Sequence, residues 1–194
     1  IVDHRTWVIA SDGDIQEGVG QEVSSLAGHL GLDKLIVFYD DNRITLSGPA
    51  SDSMSEDVLA RYEAYGWRVL QVEDVNDLDE IDAVCKEAMA GDGRPTLVRY
   101  PSTIGYGAPN LAGTYKAHGS PLGAEEVAAA KRAYGWDYEE PFTVPEEVRE
   151  AADQRERGAA AQREWEQRFE AYREAYPDLA AEFERVMAGE LPEG

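Results

Sequence analysis

Two short acidic loops, with Asp12 and Asn42 thirty residues apart, carry the side chains best suited to chemistry: Ser11-Asp12-Gly13-Asp14 and Asp40-Asp41-Asn42-Arg43-Ile44. The carboxylate of Asp12, the amide oxygen of Asn42 and the backbone carbonyl of Ile44 are three hard oxygens. Mg2+ and Ca2+ prefer such ligands, and diphosphate oxygens with water complete the coordination. Gly13 has no Cβ, so its N–H can approach a phosphate closely. A helix starting just after the first loop adds favourable partial charge. The same strings are also ordinary turn chemistry, because Asp, Asn and Gly favour turns for local reasons.

Placement weights the first reading. Each loop follows a hydrophobic run that reads as a buried strand, Thr6–Ala10 and Leu35–Tyr39. Between them Val19, Val23, Leu26 and Leu30 recur at helical spacing, with Gly31 as a stop. Gly20, Ala27 and Gly28 thin one side of that helix, over 16–31, so that another helix or a partner chain can pack close. Ser53 and Glu56 have capping-box spacing and predict a helix ending near Tyr65-Gly66. Strands follow at Trp67–Val72 and Thr96–Tyr100. The helix between them is capped at Asp77 and faces inward through Leu78, Ile81, Cys85, Ala88 and Met89. Alternating strands and helices predict an α/β fold, a parallel sheet flanked by helices with right-handed crossovers. In such sheets ligands bind beyond the carboxyl ends of the strands, where Asp12 and Asn42 lie.

The texture changes after Pro101. Residues 101–123 hold five glycines, three prolines and His118, and loops this long in compact domains are usually functional or disordered. A helix follows at Ala124–Tyr134 and a connector at Pro141–Pro145. From Glu146 the chain is rich in helix formers. Trp165, Phe169, Tyr172 and Tyr176 form one stripe, suited to packing on a further domain or a neighbouring layer. Pro177 breaks it before a second stripe of Leu179, Phe183 and Val186. The expected organisation is a first domain over 1–140 and a C-terminal helical extension over 141–194.

Composition narrows the function. With 18 Lys and Arg against 39 Asp and Glu, the net charge is −21. Such a chain repels nucleic acid and anionic lipid. It repels diphosphates and sugar phosphates as well, so holding one requires a metal ion or donors from elsewhere. No apolar run approaches the ~20 residues of a membrane helix. The single cysteine, Cys85, forms no internal disulfide and reads as a small hydrophobe on a helix face, which points to a reducing, cytoplasmic setting. The chain opens on Ile1-Val2-Asp3 without a starting Met, as expected of a piece of a longer protein or of a trimmed one.

Asp12-Gly13 with Asn42 thirty residues on resembles the thiamine diphosphate fingerprint, G-D-G then N. The surrounding string SDGDIQEGVGQEVSSLAGHLGLDKLIVFYDDN is similar to the transketolase family specifically. So are STIGYGAPNLAGTYKAHGSPLG and WEQRFEAYREAYPDLAAEF. The resemblance covers essentially the whole chain and matches the later part of the diphosphate-binding domain and the start of the linker beyond it. One departure is visible: Ser11 stands where the family has its first glycine.

The resemblance implies a set of roles. Asp12, Asn42 and the carbonyl of Ile44 would ligate Mg2+ or Ca2+, and Gly13 and Asn42 would contact the diphosphate. Ile104 would pack on the cofactor rings, and His118 would touch both diphosphate and substrate. Glu17 would belong to an acidic network joining two active sites of a homodimer. The reaction implied is transfer of a two-carbon ketol unit between sugar phosphates, with the cofactor as electron sink. The family's remaining catalytic groups lie outside these residues, so the isolated chain is expected to be inert, to bind cofactor weakly if at all, and to leave its 101–123 loop mobile. From the residues alone, His118 also reads as a surface histidine, Glu17 as helix N-terminal charge and Ile104 as core. The rival functions are another thiamine diphosphate enzyme, such as dihydroxyacetone synthase, a non-catalytic assembly module, and a split-subunit enzyme whose missing domain is supplied in trans.

Overall fold

Four short runs of β-branched and aromatic residues pair into one parallel sheet, as the alternating pattern predicts. The computed structural model describes residues 1–192. It divides into a unit spanning 4–137 and a second unit made of 1–3 with the chain from Tyr138 onward. In the larger unit, β1 (Thr6–Ser11), β2 (Leu35–Asp41), β3 (Arg68–Gln71) and β4 (Thr96–Pro101) lie in the order β1-β2-β4-β3. All pairs are parallel, with Val8 opposite Val37 and Val37 opposite Leu97.

Helices cover both faces. The connection after β1 holds α1 (Asp12–Gln16) and α2 (Gly18–Leu30), and α3 (Val58–Ala64) precedes β3. These pack over Tyr39 and Leu97 through Ile15, Ala27, Val58, Tyr62 and Trp67. On the other face α4 (Leu78–Ala90) covers Ile36, Val72 and Val98 with Ala88, Ile81 and Val84. The odd and even residues of β2 thus serve different cores, the period of two expected of a strand. Buried Trp67 ties the first core together by donating its Nε1–H to the carbonyl of Ser24 at 2.7 Å.

The structure corrects several local expectations. The helix drawn over 16–31 is α2, and a separate short α1 precedes it, because Glu17 adopts an extended conformation (φ −64°, ψ 134°) between the two. Its apolar stripe faces outward: Val19, Val23, Leu26 and Leu30 are all more than half exposed. The small side goes inward instead. A Cβ on Gly28 would lie 1.8 Å from the carbonyl oxygen of Tyr65, and one on Gly20 would lie 2.9 Å from that of Asp14. The close neighbours are the end of α3 at Tyr65 and the backbone of α1 at Asp14, so the small side packs on other helices of this chain, as one of the two expectations had it.

β1 is not covered on both faces. As an edge strand it has one neighbour, and Ile9 is 78% exposed. A groove of about 550 Å³ runs along Trp7, Ile9, Phe38 and Tyr100. The capping box at Ser53 is not used. α3 starts at Val58 with Asp57 as its cap, accepting from the N–H of Ala60 at 3.0 Å. Leu78 points outward on α4, where Val84 takes an inward place.

Beyond β4 the chain makes a series of tight turns and then α5 (Ala124–Ala133). In the second unit, α6 (Glu146–Ala152) precedes α7 (Arg155–Ala175) and α8 (Pro177–Met187). The aromatic stripe of α7 finds its neighbouring layer in α8. Phe169 is buried, stacks on Trp165 at 5.2 Å and meets Phe183 at 5.4 Å. Pro177 ends the first stripe by opening α8 at its first position, where its missing N–H costs nothing.

Candidate functional site

The register fixes where the loops emerge. Ser11 is opposite Asp40, and Asp40 is opposite Tyr100, so the chain leaves β1, β2 and β4 at one end of the sheet. That end is the carboxyl end of all three strands.

Asp12 is the centre of this end. It is the first residue of α1 and is 1% exposed. Its Oδ1 accepts from the hydroxyl of Tyr39 at 2.7 Å, and its Oδ2 accepts from the backbone N–H of Arg43 at 2.8 Å. The second bond ties the first loop to the second across 31 positions of sequence. Arg43 can aim its N–H there because it adopts a left-handed conformation (φ 62°), which is uncommon for a residue with a Cβ. Burial pushes the Asp12 carboxyl above its ordinary range. The bonds from Tyr39 and Arg43 oppose that, and the charges of Asp41 and Asp40 add to it. Burial, then the bond to Asp12, raise the Tyr39 phenol far above the usual tyrosine range, so it stays a donor.

Asn42 sits beside this bond. Its Oδ1 accepts from the N–H of Ile44 at 3.0 Å and its Nδ2 donates to Asp40 at 3.1 Å. Ile44 is held by a short antiparallel bridge to Pro49, closed by the N–H of Ala50 on the carbonyl of Arg43 at 2.9 Å. Gly13 is exposed, and a Cβ built there meets nothing within 4 Å, so the loop is open to an approaching group. Ser11 spends its hydroxyl on Asp14, whose carboxylate also takes the Ser11 N–H, at 2.9 and 2.8 Å. α1 has only five residues, so few peptide dipoles add up there. The favourable helix charge expected after the first loop is correspondingly small.

The third loop is rooted against the second. The Ser102 N–H donates to the carbonyl of Asp41 at 3.3 Å, and its hydroxyl donates to Asp40. Arg99 pairs with Asp41 at 2.5 Å. Ile104 and His118 lie farther along. The carbonyl of Ile104 accepts from Gly113 at 2.8 Å, and His118 ends a short 3-10 turn over Tyr115–Ala117. The Nδ1 of His118 is buried and has no hydrogen-bond partner among the described residues. Glu17 is exposed at the junction of α1 and α2. Cys85 is half-buried, and burial followed by the charge of Asp82 raises its thiol, which suits packing and not nucleophilic work.

The structure thus joins Asp12 with the backbone beside Asn42 and roots the His118 loop at the same edge. Tyr39, Arg43 and Asp40 are partners that sequence reasoning did not single out. Tyr39 was visible only as the fifth residue of an apolar strand, and its hydroxyl carried no signal of its own.

The residues present fit a cation with a diphosphate. A desolvated carboxylate flanked by two further acids calls for positive charge. Among the described residues no three His, Cys, Asp or Glu side chains cluster as a metal cage. A cation at Asp12 would therefore draw on the amide, a carbonyl and ligand oxygens. The unpaired Nδ1 of His118 is a polar group awaiting a partner.

Comparison with known proteins agrees with this chemistry. Residues 1–192 match the family described as the thiamine diphosphate binding domain of transketolase. The transketolase of Halalkalibacterium halodurans is 49% identical over 195 residues, covering 100% of this chain and 29% of that protein. That of Bacillus subtilis is 48% identical, covering 99% and 29%. A crystal structure of the Pichia stipitis transketolase in complex with sedoheptulose-7-phosphate superposes with a TM-score of 0.90 at 42% identity, covering 99% of this chain and 29% of that one. The Leishmania mexicana transketolase gives a TM-score of 0.91 at 40% identity, covering 100% and 29%. The chain therefore spans under a third of the length of the relatives it matches.

Proposed function

The chain belongs to the transketolase family through its thiamine diphosphate-binding domain, and from that premise we propose that it supplies the metal- and diphosphate-holding part of a ketol-transferring enzyme. The observation that carries this reading is the buried Asp12 carboxylate, held by the N–H of Arg43 so that the two loops share one centre. In this reading Asp12, Asn42 and the carbonyl of Ile44 hold Mg2+ or Ca2+, with Gly13 and Asn42 against the diphosphate. Tyr39 and Arg43 fix the carboxylate's orientation, as outer partners of metal ligands commonly do. When bound, the cofactor supplies an electron sink for breaking the bond beside a ketose carbonyl.

His118 presents an imidazole to the diphosphate and to donor hydroxyls, where it can hold or move a proton. Ile104 offers an apolar surface to the rings. Substrates are sugar phosphates in this reading, as in the Pichia stipitis complex. Assembly is as a homodimer, and the exposed stripe of α2 beside Glu17 is the surface that supports it. Among the described residues no helix is long and apolar enough to cross a membrane. A cytoplasmic enzyme agrees with the single, unreactive cysteine. The rival readings, another thiamine diphosphate enzyme or an assembly module, are not favoured by the relatives described above, each of which is a transketolase.

Calorimetric titration of the chain with Mg2+ or Ca2+, with and without thiamine diphosphate, tests the reading. Cation binding should strengthen when the cofactor is present, be weak overall, and vanish in Asp12→Ala. No ketol transfer is expected from the 194 residues alone. Cation binding indifferent to the cofactor would overturn the assignment.

A further inference from the structure

The loop proposed to carry Ile104 and His118 is not shaped by its own sequence alone. Glu126, in the first turn of α5, is buried although it is a glutamate. Its Oε1 accepts from the N–H of Asn110 at 2.7 Å and from that of Leu111 at 3.2 Å. Its Oε2 accepts from the Asn110 side-chain amide at 2.8 Å. One carboxylate thus satisfies three donors at the middle of the loop, and charge-assisted bonds of this kind are stronger than neutral ones.

The hold propagates in both directions. Leu111 in turn accepts, through its carbonyl, from the N–H of Thr114 at 3.2 Å and from its hydroxyl at 2.8 Å. The next turn runs from Thr114 to Ala117 and from Tyr115 to His118, at 3.1 and 3.0 Å. On the other side Gly113 donates to the carbonyl of Ile104, and Ala112 to that of Ala108. At the far end of α5 the hydroxyl of Tyr134 donates to the carbonyl of Tyr106. Gly107 lies under that ring in a left-handed conformation (φ 82°), where a Cβ would come within 2.4 Å of the Tyr134 ring.

We propose that Glu126 is a positioning residue: by gripping Asn110 and Leu111 it sets the loop so that Ile104 and His118 face the cofactor site. This rests on the function proposed above, although the grip itself does not. Glu126 touches neither Ile104 nor His118 in this chain of bonds and acts through the loop backbone.

Hydrogen exchange of the 194-residue chain, read amide by amide, tests the grip without any ligand. In Glu126→Ala the amides of Asn110, Leu111 and Gly113 should lose about tenfold or more of their protection, while those of β2 and β4 keep theirs. Glu126→Gln keeps the shape and one acceptor and should fall between the two. In parallel, Mg2+-dependent binding of thiamine diphosphate should weaken about tenfold in Glu126→Ala and partly recover in Glu126→Gln. Unchanged loop protection would overturn the proposal, and so would equal loss in β2 and β4, which would mean plain destabilisation. Unchanged cofactor affinity in Glu126→Ala would overturn it too. A wild-type chain that binds no thiamine diphosphate would instead overturn the proposed function, and the exchange arm would still decide whether Glu126 sets the loop.

Discussion

Removing one oxygen atom, in Tyr39→Phe, probes the centre of the site with the least disturbance. The ring of Tyr39 is 3% exposed and belongs to the core beside Ile15 and Leu97, so phenylalanine keeps its packing. What is lost is the 2.7 Å bond to Oδ1 of Asp12. Arg43 still serves Oδ2, but Oδ1 is left desolvated and unpaired. A hydrogen bond to a charged group contributes roughly 1.5–3 kcal/mol, and leaving a buried acceptor unmade has a similar cost. The expected loss is therefore about 2 kcal/mol, roughly a thirtyfold drop in the folding constant. Urea unfolding at neutral pH measures it, in a cycle with Asp12→Ala and the double variant. Because the two groups serve one another, the cycle should show a coupling of about 1 kcal/mol or more. A neutral Tyr39→Phe, or effects that add to within about 0.5 kcal/mol, would mean that Tyr39 does not hold Asp12 and would refute the account of how the carboxylate is oriented.

Other predictions separate folding from binding. Gly28→Ala drives a Cβ into the backbone of Tyr65, with no flexible side chain to yield. It should cost at least about 3 kcal/mol in urea unfolding, or prevent folding. Gly13→Ala meets open space and should change stability by less than about 1 kcal/mol. It should nevertheless weaken cofactor-linked cation binding in calorimetry, since the methyl group occupies the face proposed for the diphosphate. The loop should also respond to acid through Glu126. The Asn110 side chain, then the Asn110 N–H, hold its carboxyl below the ordinary value of 4.5, with Leu111 adding to them. A depressed carboxylate contributes stability above its unfolded value and loses it as pH falls through the folded one. Exchange protection at Asn110 and Leu111 should thus be constant near neutrality and fall only below the usual glutamate range. In Glu126→Gln that acid step should be absent.

Much of this protein was legible before any coordinates, for identifiable reasons. Strands, helices and their parallel order follow from local periodicity, which each segment carries by itself. That the loops of Asp12 and Asn42 leave the sheet at one end followed from placing both at carboxyl ends of neighbouring strands, and the register of Ser11 with Asp40 agrees, while the side-chain link that forms runs from Asp12 to the N–H of Arg43. The family was readable because short polar strings at loops are seldom shared by chance.

What the sequence could not determine depends on contacts between distant segments. The hydrophobic stripe of α2 did not tell which face is buried. The choice was made by Gly28, whose missing side chain admits the backbone of Tyr65. β1 read as fully covered, yet it is the end strand of the four in this sheet and leaves Ile9 exposed. Tyr39 read only as the end of an apolar strand, and nothing in the local pattern singled out Glu126. Only folding brought a buried carboxylate under the first and three loop donors onto the second. Local pattern fixes what each segment prefers, whereas desolvation and hydrogen-bond partners are assigned by neighbours far along the chain, and these gave Asp12 and Glu126 their settings.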